Sequence, residues 1–367
     1  MDGGNVQRMN LLNFVIGSFI LCLIFSSGGV MQTSCAPAGD RPTRRAVLIA
    51  ATAAAATVST PALAQRCQIG PPKHEKGPPV FLEYDQVELD AAYDQQYYEP
   101  QLRIVQERIA SHSEATIARI GVPERVAYGD AEVEQMDIYG TEHASAPIFV
   151  FIHGGTWRYD TARGYAYAAE TFVGAGAHYV AVDFASVTDV GGDLGVLAMQ
   201  VRKAIGWVYR NAASFGGDPD RLYIGGHSSG GHLCAVALIT EWQKEFGLPA
   251  DIIKGGLCMS GMYEMEPVRL SWRRGYIRFT DEIADAMSPL RHVERLGAPV
   301  VVTYGSFETP EFRRQGRDFA ATAKAAGKPV ELIEATNYHH QEMAETLGNP
   351  YGPNGRAALA LMGIGAA

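Results

Sequence analysis

From residue 133 to the C-terminus, short continuously apolar runs alternate with longer stretches of amphipathic, helical periodicity, and that alternation leaves few architectures open. The apolar runs are "VEQMDIYG", "APIFVFIHGG", "HYVAVDFA", "RLYIGGHSS", "IIKGGLCMSG", "APVVVTYGS" and "PVELIEAT". Helical stretches fall near residues 163–173 and 193–214, from 230, near 310–326, and from about 340. A strand that is apolar along its whole length must be covered on both faces, and strands separated by helices pair in parallel through crossover connections. The expected fold class is therefore α/β, with a mostly parallel central sheet and helices on both faces. Residues 264–292, "EMEPVRLSWRRGYIRFTDEIADAMSPLRH", break the alternation between two strands and read as a short inserted lid.

The chain has 367 residues, 47% of them hydrophobic, enough to bury one large core. A formal net charge of -9 with no long Lys/Arg run removes the electrostatic footprint of a nucleic-acid binder. No repeat period is visible.

Residues 1–64 read as an export signal region rather than as fold. In "RPTRRAVLIAATAAAATVSTPALAQ", residues 41–65, paired Arg44 and Arg45 precede an Ala-rich apolar run and then Ala62-Leu63-Ala64. The order of charged, apolar and small-residue regions resembles a twin-arginine export signal, with cleavage expected after Ala64. Such a signal implies a periplasmic or secreted protein with no stable membrane association once it is removed. Upstream, "LLNFVIGSFILCLIF" covers only residues 11–25, short for a membrane span. Met31 would make a natural start, which would leave residues 1–30 untranslated.

After the signal, residues 65–82 are rich in Pro, Gly and charge and read as a linker, and residues 83–120 carry helical periodicity expected to cap the domain or its mouth. Cys67, Cys234 and Cys258 would survive cleavage, an odd number that gives no closed disulfide framework. Cys234 and Cys258 read as core thiols, and a bridge between them stays open.

The stretch "YIGGHSSGGHLCAVAL", residues 223–238, sets small and polar residues between an apolar strand and an apolar helix. Gly226-His227-Ser228-Ser229-Gly230 matches G-x-S-x-G, the strained turn that exposes a nucleophilic serine between strand and helix. Upstream, "FVFIHGGTW", residues 149–157, runs an apolar strand into His153-Gly154-Gly155. Acyl transfer through a serine creates an oxyanion that needs backbone N–H donors with no side chains in the way. Gly154 and Gly155 can supply them, and the amide of Ser229, the residue after the nucleophile, supplies another.

A serine hydroxyl needs a histidine to take its proton and a carboxylate to orient that histidine. Behind Ser228 the histidines are His232, His292, His339 and His340. His232 lies about one turn into the following helix and should point away from the hydroxyl, and His292 belongs to the inserted segment. His339 and His340 follow the last strand, where the base belongs; His340 is preferred because it opens the amphipathic pattern that follows, leaving His339 to line the pocket. Glu308 and Glu311 both lie just beyond the strand "VVVTYG". Glu311 sits where Pro310 starts a helix, a position that often holds an acid for the helix dipole, so Glu308 is the favoured partner. Trp157 and Tyr159 are candidates for an acyl or aryl pocket, or for core.

The motifs "HGGTW", "GHSSGGHL" after "YRNAASFGGDPDRLYI", "SGMYEMEPVRLS", "YGSFETPEFRRQ" and "HHQEMAETL" make the chain resemble the arylformamidase (kynurenine formamidase) branch of the α/β-hydrolases, with its bacterial carboxylesterase-like members. The resemblance runs from about Glu83 to the C-terminus. It implies the α/β-hydrolase fold, a nucleophile at Ser228, oxyanion glycines at Gly154 and Gly155, an acid at Glu308 where the family commonly has aspartate, and a base at His340. The expected activity is hydrolysis of a small-molecule carboxylic ester or aryl amide through an acyl-enzyme. Cleavage of an N-formylkynurenine-type formamide is the alternative, and the expected export tips the balance toward an ester. A non-catalytic binding module on the same fold is the third reading, although such modules usually lose the serine or the histidine. No H-E-x-x-H occurs, His227 and His232 are spaced off one helical face, and "GAGAHYV" precedes its strand instead of following one, so neither metal nor nucleotide cofactor is expected.

Overall fold

In the computed structural model, which describes residues 69–365, the apolar runs form one eight-stranded sheet in the order β1-β2-β4-β3-β5-β6-β7-β8. The strands are β1 Glu124–Ala127, β2 Gln135–Tyr139, β3 Ala146–Ile152, β4 His178–Val182, β5 Gly217–His227, β6 Gly255–Met259, β7 Val300–Gly305 and β8 Val330–Ala335. From β4 across to β8 every neighbouring pair is parallel, whereas β1 and β2 join as an antiparallel hairpin at one edge. The sequence reading missed β1, whose mostly exposed "ERVA" carries no apolar run. The export signal region 1–64, its cleavage point after Ala64, the alternative start at Met31, and Cys67 lie outside the described residues. Among the described residues no helix is long and apolar enough to cross a membrane.

Strand residues alternate between two buried layers, as the period of two requires. Ile148, Val150, Ile152, Val180, Val182, Ile224, Val300 and Val302 pack on one face with helix Leu194–Asn211, helix Ser229–Leu238 and helix Pro310–Ala325. Phe149, Phe151, Tyr179, Leu257, Met259 and Val301 pack on the other face with helix Leu102–Ile120, the 3-10 turn Ala162–Ala168 and helix Pro353–Leu361. The segment 83–120 is divided between these layers. Leu89 and Tyr93, in and just after helix Gln86–Ala92, join the first, and Val105, Ile109 and Ile117 of helix Leu102–Ile120 join the second. The inserted segment 264–292 folds as helix Met265–Leu270, the turn Trp272–Gly275 and helix Asp281–Ala286, with Met265, Val268, Ile277, Ala284 and Met287 in the first layer. Cys234 and Cys258 face each other in that core as free thiols, their sulfurs 3.8 Å apart.

The turn from β5 into helix Ser229–Leu238 is set by steric contact. A Cβ on Gly226 would lie 2.2 Å from the Gly230 carbonyl oxygen, and one on Gly230 would lie 2.1 Å from the Ile152 carbonyl oxygen of β3. Strand, turn and helix are pressed together at van der Waals limits, so both positions must be glycine. Gly230→Ala is expected to lower stability by about 3 kcal/mol or to block folding altogether. Urea unfolding checks this, and a variant as stable as the parent would show that the turn can open.

Candidate active site

Ser228 closes β5 and starts the helix behind it with φ 57° and ψ -122°, a left-handed conformation that a non-glycine residue holds only when its surroundings impose it. Its amide donates to the Met259 carbonyl at 2.9 Å, and its own carbonyl accepts from the His232 amide at 3.0 Å. These two bonds fix the serine backbone between β6 and the helix, and the side chain is left facing the glycine loop after β3. A Cβ on Gly154 would come 3.2 Å from the Ser228 Cβ, so that loop lies against the hydroxyl-bearing carbon. Gly155 has φ 93°, and a Cβ there would meet the Tyr159 carbonyl at 2.4 Å. The loop is tied down by the Trp157 amide, which donates to Ser229 Oγ at 3.1 Å, and by the His153 ring, stacked on Phe184 with centroids 4.1 Å apart. Ser229 is the first residue of its helix, where backbone N–H groups have no intrahelical acceptor. Gly154 and Ser229 thus lie beside Ser228 on two different elements.

Glu308 and His340 come together by way of the two loops that follow β7 and β8. Glu308 is buried; its Oε1 accepts from Ser260 Oγ at 2.6 Å and from the Gly305 amide at 2.7 Å. Its Oε2 lies 2.9 Å from His340 Nδ1, which must donate because the carboxylate can only accept. His340 is also buried, with Phe312 edge-on at 4.7 Å between centroids. His227, next to Ser228, holds the same loop: its Nε2 donates to the His340 carbonyl at 2.9 Å, and the two rings lie 4.6 Å apart. Burial, reinforced by the His340 charge, pushes the His227 pKa well below the usual imidazole value and keeps that ring neutral. His227 thus links the strand end that carries Ser228 to the loop of His340, and no hydrogen bond joins the Ser228 and His340 side chains among the described residues.

The other candidates occupy distinct places. Glu311 is fully buried, but its carboxylate is taken by Arg314 in a two-pronged ion pair at 2.7 and 2.8 Å and by Tyr93 Oη at 3.0 Å. His339 turns toward the N-terminal helical segment, its Nδ1 3.0 Å from both Gln101 Nε2 and Glu342 Oε2. Trp157 is buried, with its Nε1 donating to His232 Nδ1 at 3.2 Å, so it packs on the helix behind the serine. Tyr159 is 59% exposed beneath the Arg158 guanidinium. His232 points away from Ser228, donating to the Met287 carbonyl at 2.8 Å, and His292 faces Asp285 within the inserted segment. Sequence reasoning missed two tethers, His227 and Ser260. Ser260 has φ 50° directly after β6, and its position beyond a buried strand end was the one available signal.

The N-terminal segment reaches the same corner. Glu99 is buried and accepts from the Gln341 amide at 3.1 Å, and burial raises its pKa above the usual carboxylate range. Arg108 forms a two-pronged pair with Glu345 one turn further along.

A parallel sheet carrying a serine on a strand-to-helix turn at its centre, with a glycine loop on the neighbouring strand, defines the α/β-hydrolase class. A family model described as BD-FAE matches residues 136–252. The kynurenine formamidase of Salmo salar is 30% identical over 230 residues, 60% of this chain and 76% of that protein. Esterase LipC of Mycobacterium tuberculosis is 25% identical over 225 residues, 56% of this chain and 55% of LipC. Among solved structures, the metagenomic thermostable carboxylesterase EstE1 superposes with a TM-score of 0.55 at 20% identity, over 71% of this chain and 94% of EstE1. The chain belongs to the arylformamidase and carboxylesterase-like family of α/β-hydrolases, and it is a hydrolase.

Burial lowers the His232 pKa from 6.5 to about 4, with the bond to the Met287 carbonyl opposing the shift. An imidazole depressed in the folded state is stabilising above its unfolded pKa, and the gain is lost as pH falls through the window between the two values. His232 is expected to remove about 3 kcal/mol of stability between pH 6.5 and pH 4. Urea unfolding across that range would show a shallower loss in His232→Asn, and identical slopes would contradict the assignment.

Proposed function

We propose that the chain hydrolyses small carboxylic esters or aryl amides through an acyl-enzyme on Ser228. Ser228 Oγ attacks the carbonyl carbon as His340 Nε2 takes its proton, while Glu308 holds the Nδ1–H and stabilises the imidazolium. The oxyanion that forms is met by the amides of Gly154, Gly155 and Ser229. His340 then returns the proton to the departing alcohol or amine, which leaves Ser228 acylated. A water molecule, deprotonated by the same imidazole, attacks the acyl carbon and releases the acid. The reading is carried by the buried 2.9 Å contact between His340 Nδ1 and Glu308 Oε2, set beside a serine held at φ 57° on the neighbouring turn.

Among substrates an ester is the first reading, supported by the expected export of the chain. Export through a twin-arginine-type signal with cleavage after Ala64 is part of the proposal, and the N-terminal mass of protein recovered from the periplasm tests it. Formamide cleavage is the second reading, favoured by the likeness to a kynurenine formamidase. Turnover of N-formylkynurenine against short p-nitrophenyl esters orders the two, and a strong formamide preference would reverse them.

Ser228→Ala is expected to lower kcat by about a thousandfold or more and to abolish labelling by a fluorophosphonate probe. A wild-type chain that takes no label would support a binding module instead. Glu308→Gln is expected to lower kcat by roughly a thousandfold, because the Nδ1–H loses its charged acceptor. Glu311→Gln should leave kcat within about threefold and lower stability instead, because Arg314 loses its buried charge partner and keeps only the half-exposed Asp318. Equal kinetic losses in the two variants would contradict the assignment of the acid.

A further inference from the structure

Arg273, in the turn Trp272–Gly275 of the inserted segment, is a buried cation without a counter-ion. It is 1% exposed, and among the described residues no carboxylate forms an ion pair with it. Arg125, Arg314 and Arg291 contrast with it: Arg125 bonds Asp137 and Asp183, Arg314 bonds Glu311 and Asp318, and Arg291 bonds Glu264. A guanidinium cannot shed its proton, so burial without an anion is a standing electrostatic cost. Its hydrogen bonding is as incomplete as its charge balance. One Nη donates to the Tyr93 carbonyl at 2.9 Å, the other meets only the Met262 thioether at 3.6 Å, and Nε has no partner. The faces of Trp157, Tyr93 and Trp272, with centroids 5.4 to 5.8 Å away, surround the cation with aromatic carbon.

Three neighbours of Arg273 also lead toward the proposed reacting groups. The Trp157 amide is bonded to Ser229 Oγ. Met262 lies two residues beyond Ser260, which donates to Glu308. Tyr93 packs on Phe312, whose ring meets His340 edge-on. The guanidinium, carried by the inserted segment, is therefore one side chain from the residue bonded to Ser229 and two rings from His340. The thioether on its second nitrogen is a weak acceptor on a flexible stem, easily displaced by a better one.

We propose that Arg273 is the receptor for a carboxylate on the substrate, so that the preferred ester or amide carries an anionic group away from the scissile bond. On binding, the carboxylate displaces the Met262 thioether, accepts from the free guanidinium N–H groups, and supplies the missing charge partner in a site closed to water. This rests on the reading of Ser228 as the nucleophile and narrows its substrate class.

The test compares matched pairs with the carboxylate at either end: p-nitrophenyl hydrogen adipate against p-nitrophenyl hexanoate, and 3-acetoxybenzoate against phenyl acetate. In the wild-type enzyme kcat/KM is expected to favour the anionic member of at least one pair by tenfold or more. That preference should fall at least tenfold in Arg273→Met and by less in Arg273→Lys. Calorimetric titration with adipate and 3-hydroxybenzoate reads the same contact without turnover, and Arg273→Met should weaken one of them at least tenfold. If Arg273→Met does not fold, Arg273→Lys and the wild-type preference decide. No anionic preference in the wild type, or one that survives in Arg273→Met, overturns the proposal. Loss of all turnover with no fluorophosphonate adduct would instead overturn the hydrolytic role of Ser228, and the titrations would still decide whether Arg273 receives the anion.

Discussion

The site depends on a backbone collision avoided by two glycines. β5, the turn after it and helix Ser229–Leu238 approach β3 so closely that only hydrogen fits at Gly226 and Gly230. That closeness drives Ser228 into the left-handed region and, through the Met259 carbonyl, locks it to β6. The strain is held by the parallel strands on either side, which are buried on both faces and cannot shift without opening both core layers. Rigidity of the sheet is thereby converted into the placement of one hydroxyl.

The second half of the site is held by polar contacts rather than by packing alone. The loop bearing His340 is tied at its side chain to Glu308, at its carbonyl to His227, and at the following amide to Glu99. Glu308 is in turn fixed by Ser260 Oγ and the Gly305 amide, so its carboxylate has little freedom left. Three loops at the carboxyl ends of β5, β6 and β7 converge on one imidazole, the position at which open α/β sheets assemble ligand sites. The inserted segment closes over this corner with Arg273 inside it.

Much of this was written in the sequence. Alternating apolar runs and helical stretches specified the parallel sheet, and G-x-S-x-G specified the turn, because both follow from local periodicity and sterics. Glu308 was preferred over Glu311 from the helix start at Pro310, and the structure has Glu308 on His340 while Glu311 is held by Arg314. Contacts that join distant segments could not be read. Nothing local in "ERVA" announces a hairpin edge, and nothing in His227 announces a bond to a carbonyl 113 residues away. Trp157, which follows the glycine loop, could be read as pocket or as core, and its indole N–H finds His232 in the core. The expected final helix is two, Pro353–Leu361 standing apart from the short His340–Glu345, since Gly348 and Pro353 interrupt the periodicity.

The tether between Gln101 and His339 spans 238 residues, and the one between Glu99 and Gln341 spans 242. The segment synthesised early must wait for the last loop before either contact can form, so these bonds belong among the late, non-local events of folding. The imidazole itself arrives only when residue 340 of 367 has been made. With His340 as the base proposed above, a chain cut before that residue would own an intact serine turn and still be chemically silent.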